Sequence, residues 1–257
     1  MRMFQAALLT AVMVTACSGS SSKVDGAGGA GGAAVAGTGP LYPLVVGSHW
    51  VYQVTDTDGT LSTEVVSVAA QEVVGGTGPY AALPAFRVVT GSKIDDPNGD
   101  VDWEAEVADP ALRIVRYREL SVGESSGNQK NESYWDPPRL RVDEAPAHST
   151  MTGQAWNEAA YTEYDIDYKT DADAGTTYIA DGGVTSQVED DIWSVSGASE
   201  TVTVAGRAYV ALHVRRVNKD SADSVKDFWF ARGVGLVKET GNGKPTHELL
   251  SYSIAGQ

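Results

Sequence analysis

The chain of 257 residues contains one cysteine, Cys17. Without a second thiol there is no disulfide partner, no zinc-cysteinate site and, past residue 17, no thiol nucleophile. Bases are scarce too: 19 lysines and arginines face 34 acids, a formal charge of −15. Nucleic acid and anionic lipid surfaces repel such a chain, so no nucleic-acid partner is expected. No apolar run reaches the ~20 residues that cross a bilayer as a helix. Helical periodicity is nearly missing, as are the G-x-S-x-G elbow, the H-E-x-x-H helix, the phosphate loop and the dinucleotide fingerprint. The four histidines, His49, His148, His213 and His247, include no two at a metal-binding spacing on one element. These gaps argue for a non-enzymatic protein.

What is present begins with location. Arg2 gives a positive start, and Phe4 to Val14 is an apolar run of eleven residues, the length of a signal-peptide core. The run ends in Val14-Thr15-Ala16-Cys17, followed by Ser18-Gly19-Ser20-Ser21-Ser22. This resembles the lipobox of bacterial lipoproteins. The resemblance implies cleavage after residue 16 and acylation of Cys17, including diacylation of its sulfur, at ~0.8 kcal/mol per buried methylene. Ser18, in place of an inner-membrane-retaining Asp, points to the outer membrane of the cell envelope. Residues 18–40 hold eight glycines and no aromatic, and read as a flexible tether spanning roughly 25 Å. The expected division is a signal peptide over 1–16, lipidated Cys17 with its tether over 17–40, and a single β-rich domain over 41–257.

In that domain a period of two dominates. Asp100-Val101-Asp102-Trp103-Glu104-Ala105-Glu106-Val107 alternates acid with apolar residue, which predicts a half-buried strand with a solvated acidic face. Glu163 to Tyr168 repeats the pattern, and β-branched runs cover 64–74, 84–90, 112–122, 184–195, 200–204 and 209–217. Gly59 after Asp56-Thr57-Asp58 predicts a hairpin turn, as do Asp96-Pro97-Asn98-Gly99 and Ala205-Gly206-Arg207. About ten strands at this spacing predict an all-β fold: an antiparallel curved sheet closing as a half-barrel, or a β-sandwich. One short helix is expected near Thr152 to Ala160.

The domain opens Leu41-Tyr42-Pro43-Leu44-Val45-Val46-Gly47-Ser48-His49-Trp50-Val51-Tyr52. It closes Asp227-Phe228-Trp229-Phe230-Ala231-Arg232-Gly233-Val234-Gly235-Leu236-Val237-Lys238. These stretches resemble a broad group of uncharacterised bacterial lipoproteins, whose β domain is similar to the curved sheet of the periplasmic lipoprotein-carrier fold. No catalytic residue comes with the resemblance. Trp50, Tyr52, Trp229 and Phe230 supply large apolar areas that either fill a core at a sheet corner or line a cradle for lipid or another ligand.

Other candidates are thinner. Asp96, Asn98, Asp100 and Asp102 place oxygen donors in and beside one turn, the chemistry of a structural calcium ion, although the spacing is not that of an EF-hand. Asp171-Ala172-Asp173 and Glu189-Asp190-Asp191 are acidic clusters without a frame. Trp135, Trp156 and Trp193 could line a glycan surface or a core, and 34 acids offer a carboxylate pair to a glycosidase by chance alone. The reading is therefore an envelope lipoprotein, membrane-held through Cys17, with a binding or scaffolding β domain. A carrier of acyl chains in the concave face and an envelope glycan hydrolase stand as alternatives.

Overall fold

A computed structural model describes residues 34–108, 111–122, 130–170, 177–221 and 224–257. Cys17, the signal peptide, most of the expected tether and the Asp171 and Asp173 pair lie outside the described residues. The chain is all-β, as its alternation predicts, with β1 (His49–Thr55), β2 (Leu61–Val73), β3 (Pro84–Gly91), β4 (Asp100–Val107), β5 (Arg113–Val122) and β6 (Lys130–Asp143) in sequence. One helical turn follows, α1 (Pro146–Ser149), then β7 (Ala155–Asn157), β8 (Tyr161–Thr170), β9 (Thr177–Glu189), β10 (Asp191–Val204), β11 (Arg207–Asn218), β12 (Val225–Ala231), β13 (Gly235–Gly241) and β14 (Lys244–Ser253).

All fourteen strands belong to one antiparallel sheet, in the order β7-β10-β11-β12-β13-β14-β1-β2-β3-β4-β5-β6-β8-β9. The strand count exceeds the expected ten, mainly because long apolar runs contain corners. The run 184–195 is two strands meeting at Asp190. A sandwich of two separate sheets is not what forms.

The topology itself bends the sheet. β9 is one edge of the order, and β10 is next to the other edge, yet a single residue joins them. Two residues of chain span at most about 7 Å, so the two ends of the sheet must meet there. Tyr161 donates its hydroxyl to Asp191 across this seam at 3.0 Å, and Trp193 donates its indole N–H to Glu158 at 2.7 Å. Register shifts at Val51/Tyr52, Val68/Ala70, Trp103/Glu104, Ile166/Tyr168 and Trp229/Phe230 supply local bends.

The first expected hairpin forms as read. Gly59 takes φ +85°, and Asp56 and Asp58 accept backbone N–H bonds from Thr57 and Thr60. Two apolar clusters flank the curved sheet. One joins Leu41, Tyr42, Trp50, Tyr52, Trp193, Phe228, Phe230 and Val237 inside the curl. The other joins Val89, Val101, Trp103, Val115 and Tyr117 with Val74 and Tyr80 from the β2–β3 connection. β4 is therefore covered on both faces, and its acidic side is not the solvated face that the alternation suggested: Glu104 is fully buried.

Two further expectations are corrected. Residues 152–160 form no helix, because Trp156 sits opposite Trp193 in the β7–β10 ladder; the only helical turn among the described residues starts at Pro146, where a missing N–H costs nothing. The end of the expected tether is also held. Val35 exchanges backbone hydrogen bonds with Ala208 and Val210 at 2.9 and 3.0 Å, and Gly233 N–H donates to Pro40. The folded body thus takes in residues 34–40.

The opening and closing stretches, so far apart in sequence, touch directly. Trp50, 1% exposed, donates its indole N–H to the Val234 carbonyl at 2.5 Å, and Tyr52 donates its hydroxyl to the Leu236 carbonyl at 2.9 Å. Gly235 permits this, since it sits at φ +108° and a Cβ there would lie 3.0 Å from Trp50 Nε1. Replacing Gly235 by Ala should cost about 2–4 kcal/mol from backbone strain plus a displaced indole, measured by urea unfolding. Gly243→Ala, at φ +60° in open space, should cost only about 1 kcal/mol. Equal losses would show that the contact with Trp50 contributes nothing.

Candidate functional site

The curl encloses a basin of about 570 Å³. Its lining combines the aromatic and aliphatic side chains of Tyr42, Tyr52, Phe228 and Leu236 with many charged ones. Strands β2, β4 and β5 bring Glu64, Asp100, Asp102, Arg116 and Glu119, and β6 brings Arg139 and Arg141. From the other side β11 to β14 bring Arg216, Lys226, Glu239, Lys244 and His247. Such a lining does not offer the continuous apolar trough that an acyl chain needs.

Most of these charges are matched. Arg116 pairs with Asp102 at 2.7 Å and with Glu119, and Arg141 donates to buried Glu104 at 2.9 Å. Lys226 donates to Glu239 at 2.6 Å, and His247 lies 3.6 Å from Glu64. Burial presses against several of them. It lifts the Asp102 carboxyl to about 7 in spite of Arg116, with Glu119 and Glu104 adding to the rise. Glu239, although buried, is held below its ordinary value by Lys226. His247 is raised, because Glu64 and Glu239 outweigh burial. Asp102 Oδ1, Glu104 Oε2, Arg116 Nε, Arg139 Nε and His247 Nδ1 are buried without a protein hydrogen-bond partner, each a cost of about 1–3 kcal/mol if nothing else meets it.

A second cleft, about 540 Å³, lies where the segment 143–159 crosses β5 and β6. Its walls include Tyr80, Val115, Tyr117, Pro137 and Trp156, and its polar groups include Asp143, His148 and Glu158. His148 donates through Nδ1 to Asp143 at 2.8 Å and stacks on Trp156 with centroids 3.9 Å apart. Glu158 accepts from the Leu140 backbone N–H and from Trp193; burial nonetheless lifts its carboxyl to about 7. Both carboxylates hold backbone or indole donors, so their first job is to pin the 143–159 segment to the seam.

The residues singled out from sequence are not gathered into one site. Trp50, Tyr52 and Phe230 belong to the inner core, and of these Tyr52 alone reaches the basin. Trp229 stacks on His213, centroids 4.1 Å apart, and His213 bridges Glu200 and Asp227 at 2.9 Å each. Trp135 and Trp193 are buried and Trp156 is half-buried. Of the expected calcium set, Asp96, Asn98 and Asp100 line one outer groove while Asp102 lines the basin. Asp96 caps its own turn through Ser92 and Asn98, Asp100 accepts from Val122 N–H, and Asp102 pairs with Arg116. No group of three His, Cys, Asp or Glu suited to a metal occurs among the described residues. The arginines were missed. Arg139-Leu140-Arg141 and Arg116-Tyr117-Arg118 already alternate charge with apolar residue, a signal of two covered faces. Comparison with protein-family models, with curated proteins and with solved structures returned no match.

The raised Asp102 pKa sets a pH dependence. Its folded value, about 7, exceeds an ordinary value near 4. Between those pH values the folded state binds more protons than the unfolded, so this contribution is complete below about pH 4 and is lost as pH rises through 7. Asp102→Asn should therefore compare worst with wild type at pH 4–5 and best at pH 8, in urea unfolding followed by fluorescence. Parallel stability profiles would refute the assignment.

Proposed function

We propose that this chain is an envelope lipoprotein, held on the outer membrane through acylated Cys17, whose β domain binds a small polar, charged ligand in its curled sheet without transforming it. The charged basin carries the reading. Buried charges add little net stability to a fold and often less than apolar side chains of the same volume, so a concavity lined by them is poorly explained as packing. Several of its polar atoms await a partner, which is what a ligand supplies. Acyl-chain carriage is disfavoured by the same walls. Hydrolysis is disfavoured because the carboxylates of both cavities are engaged: Asp102 and Glu119 by Arg116, Glu239 by Lys226, Glu64 by His247, Asp100 by a backbone donor, and Asp143 and Glu158 by backbone, imidazole or indole donors.

The apolar side cleft favours one second reading, a glycan site, since sugar rings lay their C–H faces on aromatic and proline walls while hydroxyls meet polar groups such as Glu158 and His148.

Native mass spectrometry of protein purified from its own host tests both. A charged small molecule retained by wild type and lost on Arg141→Gln supports the basin; a retained sugar lost on Trp156→Ala moves the site to the cleft; an acyl chain overturns both. Separately, Cys17→Ser should shift the protein from the membrane pellet to the soluble fraction, and unchanged fractionation would overturn the anchor.

A further inference from the structure

Two arginines of the basin stand apart from its other charges. Arg139 comes from β6 and Arg216 from β11, nine strands apart along the sheet, and only the closing of the seam brings both into one cavity. Arg139 Nε is buried without a hydrogen-bond partner, and among the described residues no carboxylate lies within ion-pair distance of this guanidinium, which sits 5.7 Å from the ring centroids of both Trp135 and Tyr161. Arg216, half-buried, makes no side-chain hydrogen bond among the described residues. Its one acidic contact is Asp191 at 3.7 Å, a group already accepting from Tyr161. Trp193 and Phe228 flank it at 5.8 and 5.9 Å. Lys226, beside Arg216 in the β11–β12 ladder, is offset by Glu239.

The aromatic rings beside the two guanidiniums offer their N–H donors no carboxylate or carbonyl acceptor. A guanidinium carries five N–H donors in a planar fork that matches an oxyanion, and a buried one without acceptors is strongly disfavoured. Arg139, in spite of burial, is held above its ordinary value through space by Tyr161, Glu163, Asp191 and Glu158 together, and Arg216 has Asp191 alone within ion-pair distance. Two guanidiniums in one corner thus share carboxylates that hydrogen-bond to neither among the described residues. We infer that the Arg139–Arg216 corner of the basin is an oxyanion subsite that takes a phosphate group of the ligand, a dianion answering two cations where a single carboxylate would answer one. The crowding is visible in the acidity of Arg216, lowered to about 10 first by burial and then by the Arg139 charge; a bound anion relieves both.

The proposal rests on the basin being the ligand site and names the chemistry of one end of it. Inorganic phosphate is the probe, in equilibrium dialysis against full-length protein in a non-ionic detergent at pH 7 and constant ionic strength. Saturable binding is expected, weakened at least tenfold by Arg139→Gln and by Arg216→Gln and unaltered by Lys238→Gln, whose ammonium pairs with Glu248 outside the basin. Should either variant fail to fold by circular dichroism, wild type alone decides: phosphate should shield Arg139 and Arg216 from phenylglyoxal, mapped by peptide mass spectrometry. Flotation of the Cys17→Ser protein with phosphatidylglycerol vesicles, lost in the arginine variants, would place the phosphate on a lipid headgroup; phosphate binding without flotation would place it on a soluble molecule. Phosphate binding no stronger than chloride, with no shielding, overturns the subsite. A native ligand that stays bound in both arginine variants but leaves in Arg141→Gln also overturns it, while sparing the basin; loss of the basin reading itself would show as no ligand dependent on any of the three arginines.

Discussion

One residue, Asp190, decides the shape of this protein. It joins an edge strand of the sheet to the strand that borders the opposite edge, and the short reach of two peptide units leaves the sheet no way to lie open and flat. Everything near that junction serves to hold it. Lys219 pairs with Asp190 at 2.5 Å and donates its backbone N–H to the Asp190 carbonyl at 2.8 Å, and Asn218 donates to Glu189. Asp191 accepts from Tyr161, and Glu158 ties Leu140 of β6 to Trp193 of β10. The segment between β6 and β8, with its single helical turn and the three-residue β7, is laid along this seam.

A sheet curled in this way has an inner and an outer face, and here both are covered over β2 to β5. Trp103 and Tyr117 pack outward beneath Val74 and Tyr80, while Arg118 rests 4.2 Å from the Trp103 ring centroid and donates to Glu132 and the Val74 carbonyl. With apolar side chains placed outward, the acids of β4 turn inward, and the arginines of β5 and β6 face them. Pairing these charges roughly offsets the cost of removing them from water and contributes little beyond that. Net stability must come from the inner aromatic core and the outer cluster, and the basin is the part of the fold that stability alone does not explain.

How much of this was legible in the residues follows from what a period of two can say. Alternation identifies side chains that share a face, so the strands, the Gly59 hairpin and the turns at Gly99 and Gly206 were readable. It cannot say which face meets water. Asp100, Asp102 and Glu104 look like a solvated stripe until their partners, Arg116 and Arg141, arrive from neighbouring strands. Of the two expectations for Trp50 and Tyr52, core or cradle, their burial matches the core; that they bond to carbonyls flanking Gly235, across an intervening strand, depends on a long-range pairing of β1 with β14 that no local pattern encodes. The missed corner after β9 has the same origin, because an extended chain looks alike before and after it changes partners.

Net charge is the other place where a whole-chain quantity misleads. A chain at −15 repels anions from afar, but at physiological ionic strength that repulsion fades over ~8 Å. Inside a concavity walled by protein the nearest charges dominate, and water no longer screens them as it does at the surface. Exposed acids therefore set the sign of the field at a distance, while Arg139 and Arg216, drawn together by the seam, present the opposite sign to whatever is small enough to enter the basin. The two properties do not conflict, since one acts at the scale of the molecule and the other at the scale of a hydrogen bond. An acidic shell around a cationic corner also sets a size limit: a small anion crosses the repulsive zone at modest cost, whereas a polyanion would meet it along its whole length.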